Sequence, residues 1–176
     1  MIIKELPKSE YQDYKVLFDY TTDSYYETII NKTENGYVIT LDKKQLETPV
    51  SKEFSSTLFK SFWEQPQAFG CFDEEKLIGL VEVSKGQWDK RVRVTNIRVD
   101  KEYRRTNVGT LLMNRIKELA KKEGYRAIIL ETQTFNTKAI DFYLKQGFVF
   151  GGFDASCYSN SDIEKHEVRI ELQWYL

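Results

Sequence analysis

The chain has 176 residues, enough to bury a hydrophobic core, and no repeat, low-complexity tract or linker divides residues 1–176. Hydrophobic residues make up 41% and charged residues 30%, a balance that is ordinary for a globular protein and argues against disorder. The net charge of -1 gives no indication of a nucleic-acid partner, so we expect one globular domain that does not bind nucleic acid.

The first third of the chain gives the weakest pattern. Ile2–Leu6 predicts a short strand, and the residues from about Ser9 to Asp19 predict a helix. Between Asn31 and Val50, the turn signal Asn35-Gly36 and the strand composition of Tyr37–Leu41 indicate an arm or a small hairpin.

The pattern becomes regular from Ala68. Ala68–Phe72 and Lys76–Val83 flank the acidic turn Asp73–Glu75, and together they predict an antiparallel hairpin. Arg91–Val99 predicts a further strand. This part of the chain therefore forms an antiparallel sheet.

A change of period from two to about 3.6 then marks a helix that Gly124 ends. Its apolar face consists of Val108, Leu111, Leu112, Ile116, Leu119 and Ala120.

Ala127–Glu131 predicts a buried strand, and Asn136 is placed to cap a second helix that ends at Gly147. Phe148–Phe153 and Glu167–Tyr175 complete the sheet. This order predicts an α+β fold with a mixed sheet.

Several classes of protein are excluded. The two cysteines, Cys71 and Cys157, and the one histidine, His166, do not make a metal cluster or a Cys-His or Ser-His-Asp arrangement, so we expect no metal. No aliphatic run is long enough to span a bilayer, and Met1–Glu5 lacks the pattern of a signal peptide. We therefore expect a cytosolic protein with no membrane partner.

The first stretch with chemical content is Val99–Thr110, which joins the end of a strand to the start of a helix. A helix amino terminus offers backbone N–H groups and positive dipole character to a pyrophosphate, and Arg104 and Arg105 add charge-assisted contacts. Taken alone, the pattern also fits a basic loop that is merely solvated.

This stretch resembles the phosphate loop of the GNAT superfamily of N-acetyltransferases, Arg/Gln-x-x-Gly-x-Gly/Ala. Arg104 and Gly109 match its first and last positions, and Asn107 stands where the first glycine is usual. Asparagine enters left-handed backbone conformations more easily than most residues, which preserves the turn. The resemblance implies a GNAT-type mixed central sheet flanked by helices, with acetyl-CoA as the co-substrate.

A second segment, Asn136–Phe148, resembles the pattern Asn-x-x-Ala-x-x-hydrophobic-Tyr-x-x-x-Gly-Phe of the same superfamily. The resemblance puts Asn136 beside the pantetheine arm and Tyr143 beside the coenzyme sulfur, where its phenol is a general acid for the departing thiolate. Core packing is the alternative for Tyr143. The coenzyme-binding residues that the two resemblances imply are Ile97, Val99, Arg104, Arg105, Asn107, Val108, Gly109, Thr110, Asn136, Phe142 and Tyr143.

Further elements resemble the streptothricin acetyltransferases, which acetylate an amino group on the β-lysine part of the antibiotic. One departure concerns Thr95-Asn96, because relatives usually carry an acidic pair there; Thr95 can hydrogen-bond but cannot serve as a base. The matching elements are Lys85–Trp88, Leu130–Thr134, Gly151–Tyr158 and Trp174–Leu176.

The mechanism that the resemblance implies is direct transfer, with a backbone N–H near Ile97–Val99 polarising the carbonyl oxygen. Glu82, Glu131 and Asp154 are the candidates for the base, directly or through water. A solvent-facing strand position is the alternative for Glu82, and a structural hydrogen bond is the alternative for Glu131.

We expect a small-molecule amine as the acceptor, with streptothricin as one candidate. Two alternatives stay open: an acetyltransferase for protein or polyamine amines, and a non-catalytic sensor that binds coenzyme A. Homodimers are common in the superfamily, so a homodimer is a further expectation.

Overall fold

The computed structural model describes residues 1–176 and contains nine β-strands and three α-helices. None of the helices has the length and apolar character needed to cross a membrane. The helices are α1 (Lys8–Tyr11), α2 (Val108–Lys122) and α3 (Thr137–Lys145). The strands are β1 (Ile2–Leu6), β2 (Lys15–Thr33), β3 (Gly36–Thr57), β4 (Gln67–Asp73), β5 (Lys76–Gly86), β6 (Arg91–Val99), β7 (Ala127–Gln133), β8 (Val149–Asp154) and β9 (Arg169–Tyr175).

Seven strands form one mixed sheet in the order β1-β4-β5-β6-β7-β9-β8, and β2 and β3 form a separate two-stranded sheet. The pairs β1-β4, β4-β5 and β5-β6 are antiparallel. Strands β6 and β7 are parallel, with Arg91–Val94 opposite Ala127–Leu130. A parallel pair needs a crossover connection, which α2 provides. The prediction of an α+β fold with a GNAT-type mixed sheet flanked by helices is confirmed.

The chain forms two compact units. The first unit contains Met1–Phe18, Phe54–Leu130 and Gln173–Leu176, and the second contains Asp19–Glu53 and Glu131–Leu172. The expectation of a single domain over residues 1–176 stays a prediction.

In the first unit, α2 packs on β5 through its apolar face. A Cβ at Gly79 on β5 would lie 2.8 Å from Val108 Cγ1 and 3.1 Å from the Arg98 carbonyl, so glycine permits the start of α2 to approach the sheet closely. The predicted face is confirmed in outline: Leu111 lies at its exposed edge, and Met113 is buried in addition. The buried residues of α2 are Val108, Leu112, Met113, Ile116, Leu119 and Ala120.

The predicted helix from Ser9 to Asp19 is wrong. Helix α1 ends at Tyr11, and the chain continues into β2 from Lys15. The N–H of Leu58 donates to the carbonyl of Tyr14 at 3.1 Å, and Val16 is buried in a core cluster with Leu58. The sequence suggested a helix, but tertiary packing of Val16 against Leu58, which directly follows β3, decides the local structure.

The β2–β3 hairpin is much longer than the small hairpin that the sequence suggested. Its strands have 19 and 22 residues, whereas strands usually have about 3–10. The turn lies at Glu34-Asn35, one residue before the predicted Asn35-Gly36, and Gly36 is the first residue of β3. In the second unit, Thr137 at the start of α3 shares hydrogen bonds with Thr22 and Ser24 of β2, at 2.9 and 3.0 Å between hydroxyl oxygens. The hairpin thereby positions the amino terminus of α3.

Candidate active site

The turn before α2 has the backbone that a glycine would usually provide. Asn107 has φ 74° and ψ -1°, which is left-handed, and Arg105 also has a positive φ of 66°. The predicted left-handed conformation of Asn107 is therefore confirmed. An asparagine tolerates it better than most residues, so the departure from the usual motif leaves the turn intact.

The amino terminus of α2 has no side-chain cap and no acidic residue in its first turn. The first intrahelical bond runs from the N–H of Leu111 to the carbonyl of Asn107 at 3.0 Å. Arg105 is exposed, and Arg104 Nε donates to the carbonyl of Val99 at 3.3 Å, which ties the loop to the end of β6. A positive helix end flanked by two guanidinium groups is suited to a phosphate-bearing ligand.

Glu82 lies at the centre of a buried polar group in the same unit. Its side chain is fully buried and accepts three hydrogen bonds: from the N–H of Phe59 at 2.5 Å, from Thr95 Oγ1 at 2.5 Å and from Asn96 Nδ2 at 2.7 Å. The solvent-facing alternative for Glu82 is therefore wrong. Strand β5 lies between β4 and β6 and is buried on both faces, so alternation of residues along it does not mark a solvent-facing side.

A β-bulge explains how two neighbouring residues reach one carboxylate. Glu82 pairs with Asn96 and Val83 pairs with Val94, which leaves Thr95 as the extra residue of β6. In a regular strand, successive side chains point to opposite faces of the sheet. The bulge breaks this alternation, so Thr95 and Asn96 donate to the same oxygen, Oε2. The sequence contains no signal that identifies this bulge.

Tyr143 on α3 is the candidate acid of the second unit. Its side chain is 7% exposed, and its ring lies near the rings of Phe142 and Phe148, with centroid distances of 5.4 and 6.0 Å. Burial raises the pKa of the Tyr143 phenol, which favours its neutral form. A neutral phenol is the form that a hydrogen-bond donor requires.

Asn136 caps α3 as the sequence predicts. Its Oδ1 accepts a hydrogen bond from the N–H of Ala139 at 3.3 Å. The cap orients the first turn of the helix, and the hydroxyl groups of Thr22 and Ser24 hold Thr137 beside it. These two hydroxyl contacts could not be predicted from the sequence, because they join residues more than 110 positions apart. The role of Asn136 beside a pantetheine arm stays a prediction.

The candidate carboxylates Glu131 and Asp154 are both in the second unit. Glu131 is exposed, and its Oε2 lies 3.5 Å from Arg169 Nη1. Burial raises the pKa of Tyr158 to about 12, and the charge of Glu131 contributes to the same shift. Asp154 is half-buried and accepts a hydrogen bond from the N–H of Ser156 at 3.0 Å. Two negative charges therefore lie in a region that includes the cation Arg169.

Two tryptophans of the matching elements and the two cysteines are the remaining side chains that the sequence analysis named. Trp88 is 86% exposed, and Trp174 lies under the ammonium groups of Lys117 and Lys121 at 5.0 and 5.6 Å. Cys71 is buried, Cys157 is exposed, and neither is in a disulfide. The contacts of Trp174 with Lys117 and Lys121 support a role in packing against α2.

In the first unit, a strand is followed by a basic loop with a left-handed residue and by an uncapped helix start. This order is typical of the strand–loop–helix class of proteins that bind phosphate-bearing ligands. The model of the acetyltransferase (GNAT) family matches residues 35–148, more than half of the chain. Streptothricin acetyltransferase A of Bacillus subtilis (strain 168) is 31% identical over 145 residues, which are 81% of this chain and 81% of that protein. The chain therefore belongs to the GNAT family of acetyltransferases, and it is an N-acetyltransferase with acetyl-CoA as its co-substrate.

Two solved structures are similar over nearly the whole chain. One is a proposed streptothricin acetyltransferase from Bacillus anthracis str. Ames in complex with acetyl coenzyme A, with a TM-score of 0.77 and 23% identity over 99% of this chain and 97% of that one. The other is a nourseothricin acetyltransferase, with a TM-score of 0.76, 25% identity and the same coverage. The first likeness establishes the fold over nearly the whole chain.

Proposed function

We propose that the chain transfers the acetyl group of acetyl-CoA to a primary amine of a cationic small molecule, with streptothricin as the first acceptor to test. The relatives named as streptothricin acetyltransferases support this acceptor. The observation that carries the reaction class is the start of α2. There, Asn107 is left-handed and the helix end carries no cap and no acidic residue.

The coenzyme-binding residues of the first unit fit a phosphate-bearing co-substrate. Arg104, Arg105 and the backbone of residues 107–110 hold the pyrophosphate, and a backbone N–H within Ile97–Val99 polarises the carbonyl oxygen. Acetyl-CoA supplies the activated acetyl group as a thioester. Because the acetyl carbon is already activated, the chain's main contribution is to hold the two substrates in register.

In the second unit, Asn136 and Phe142 line the pantetheine arm, and Tyr143 acts on the leaving sulfur. A thiol ordinarily has a pKa near 8.5, below that of a phenol, and burial raises the pKa of Tyr143 further. Complete proton transfer from this phenol to the thiolate is therefore uphill. We assign Tyr143 the role of a hydrogen-bond donor that stabilises the developing thiolate, which refines the general-acid role expected from the sequence.

The acceptor is expected to be a cation because carboxylates are the candidate groups for recognising it. Glu131 and Asp154 supply negative charge in the second unit, and Glu82 supplies a buried carboxylate in the first. An ammonium group gains a charge-assisted hydrogen bond from such a carboxylate. In this proposal Glu131 binds the acceptor. A different carboxylate receives the proton that the acceptor amine loses.

The test is release of free coenzyme A thiol from acetyl-CoA in the presence of streptothricin, spermidine, a lysine-containing peptide and a peptide with a free amino terminus. Turnover with streptothricin, and its loss in Arg104→Gln/Arg105→Gln, support the proposal. Turnover with only a peptide or a polyamine supports the other enzymatic alternative, an acetyltransferase for protein or polyamine amines. Coenzyme binding by calorimetry without turnover on any amine favours the sensor alternative and contradicts the proposal.

Two expectations from the sequence stay predictions alongside this one. A cytosolic location is checked by fractionation of cells that express the tagged chain. A homodimer is checked by light scattering on the purified protein.

A further inference from the structure

We propose that the Thr95 hydroxyl relays the proton of the acceptor amine to the buried carboxylate of Glu82. The inference rests on the proposed function, because it concerns the same acetyl transfer. The resemblance leads one to expect an acidic pair where the chain has Thr95-Asn96. The relay connects this position to a base, the carboxylate of Glu82.

Glu82 needs an intermediary because its side chain is fully buried. A base must come within hydrogen-bond reach of the proton that it removes, directly or through one bridging group. Two of the three groups that donate to Glu82 belong to the buried residues Phe59 and Asn96, and the third is the hydroxyl of the half-buried Thr95. Thr95 is thus the route by which a proton outside the core reaches this carboxylate.

The chemistry of the three donors also selects Thr95. A backbone N–H and a side-chain amide hold their protons and can only orient and stabilise the carboxylate. A hydroxyl can accept one proton while it gives up another, because it has one O–H donor and two lone pairs. The distance from Thr95 Oγ1 to Glu82 Oε2 is 2.5 Å, which is at the short end for an O–H donor and an ionised acceptor.

The bulge in β6 is what builds this relay. It brings Thr95 to the same oxygen as Asn96, and the N–H of Phe59 holds the other oxygen, Oε1. The carboxylate is therefore fixed on both sides, while the residue Thr95 is only half-buried. Thr95 also lies two residues before Ile97, where the strand residues proposed to polarise the acetyl carbonyl begin.

The proton transfers balance as follows. The neutral amine nitrogen forms a bond to the acetyl carbon, the carbon–sulfur bond breaks, and the sulfur leaves with the electron pair. The nitrogen loses one proton to Thr95 Oγ1 as Thr95 passes its own proton to Glu82 Oε2. The thiolate takes a proton from solvent, and Glu82 returns its proton to solvent along the same path, which regenerates the enzyme.

The experiment compares four proteins with an amine that the wild type acetylates: the wild type, Thr95→Val, Thr95→Ser and Asn96→Leu. Thr95→Val keeps the shape and removes the hydroxyl, and Thr95→Ser keeps the hydroxyl. Asn96→Leu is the matched control, because it removes the other donor to the same oxygen and leaves the Thr95 hydroxyl in place. Acetyl-CoA affinity by calorimetry and thermal unfolding are measured for each.

We expect Thr95→Val to lower kcat by about 100-fold or more, the lower range of a general-base contribution, while Thr95→Ser stays within about tenfold of the wild type. Asn96→Leu should lower kcat less than Thr95→Val does. A kcat for Thr95→Val close to that of the wild type overturns the relay, as does a Thr95→Ser or an Asn96→Leu that is equally impaired.

A second measurement does not depend on the variants folding. Relay through a hydroxyl moves two protons in one step, so the wild-type kcat plotted against the deuterium fraction of the solvent should curve. A straight or flat plot contradicts the relay. The two proposals fail separately: a wild type that acetylates no amine removes the proposed function and the relay with it, whereas an active wild type with an equally active Thr95→Val removes the relay alone.

Discussion

Phe148 contacts Tyr143 through a main-chain hydrogen bond and through a contact between the two rings. The N–H of Phe148 donates to the carbonyl of Tyr143 at 3.1 Å, and the two ring centroids lie 6.0 Å apart with the planes tilted by 57°. Together with the bond from the N–H of Gly147 to the carbonyl of Leu144, this is the Schellman arrangement that ends α3, including its apolar contact. The end of the helix and the position of the Tyr143 phenol are therefore one structural feature.

Replacing Tyr143 by phenylalanine tests its role, because the ring that contacts Phe148 stays in place. We expect kcat to fall by about 100-fold, the lower end of the range for losing one hydrogen-bond donor to a developing anion, with little change in acetyl-CoA affinity. Steady-state kinetics and calorimetry measure the two quantities. Phe148→Leu is the control for packing: it should lower thermal stability and leave kcat closer to the wild type. Turnover that is unchanged in Tyr143→Phe would mean that the phenol only packs.

Buried phenols predict a loss of stability in alkali. Burial raises the pKa of Tyr143, and it raises the pKa of Tyr20 and of Tyr158 to about 12. An unfolded tyrosine has a pKa near 10, so the folded protein binds these protons more tightly than the unfolded chain. The contribution of these phenols to the free energy of unfolding is fully present below pH 10 and is lost as the pH rises through the folded pKa values.

Urea unfolding of the wild type and of Tyr143→Phe at pH 8 and at pH 11 isolates the share of Tyr143, since all other groups titrate in both proteins. The free energy of unfolding should fall less between the two pH values in the variant. An equal fall in both proteins would show that ionisation of Tyr143 does not differ between the folded and unfolded states.

The left-handed backbone at Asn107 predicts an order among its replacements. A β-branched residue disfavours this conformation by about 1–2 kcal/mol, so Asn107→Val should weaken acetyl-CoA binding by about 5- to 30-fold, as measured by calorimetry. Asn107→Gly restores the residue usual in the motif and should stay within about fivefold of the wild type, because glycine adds only about 0.5–1 kcal/mol of chain entropy.

Gly124→Ala is the matched control for that experiment. Gly124 follows the opposite end of the same helix, has φ +72°, and has open space where a Cβ would be, so the substitution introduces backbone strain alone. It should lower thermal stability and leave acetyl-CoA affinity unchanged. If Gly124→Ala weakens binding as much as Asn107→Val does, the effect of Asn107 reflects helix stability rather than the shape of the turn.

The parts of the fold that could be predicted from the sequence are those in which local signals and packing agree. Asn136 is both the cap and the start of a periodic apolar face, and the turn beside Glu74 separates two strands that pair with each other. The segment Ser9–Asp19 shows the opposite case. Val16 belongs to a cluster with Leu58, a partner 42 residues away, and no local pattern reports such a contact.

The candidate site also contains residues whose environment could be predicted from the sequence and residues whose environment could not. Arg104 could be found because it lies just before a helix start, and Asn107 could be found through the resemblance to the phosphate loop. The environment of Glu82 could not, because it depends on the N–H of Phe59, on a bulge at Thr95, and on a strand buried on both faces. Long-range pairing and one-residue bulges leave no periodic trace in the sequence.

The exposed carboxylate of Glu131 predicts an effect on acceptor binding rather than on the fold. Its ion pair with Arg169 is partly solvated, with 43% of the Glu131 side chain exposed, so its loss should change the free energy of unfolding by less than about 1 kcal/mol. Glu131→Gln should raise KM for a cationic acceptor by about two- to fivefold, the range that 0.4–1 kcal/mol of exposed ion pairing allows, with kcat nearly unchanged. Glu27→Gln is the matched control, because Glu27 is in the same unit and pairs with Lys44 at 3.8 Å. An equal rise in KM for both variants would indicate a general effect of net charge, and a fall in kcat confined to Glu131→Gln would make Glu131 the base and count against Glu82.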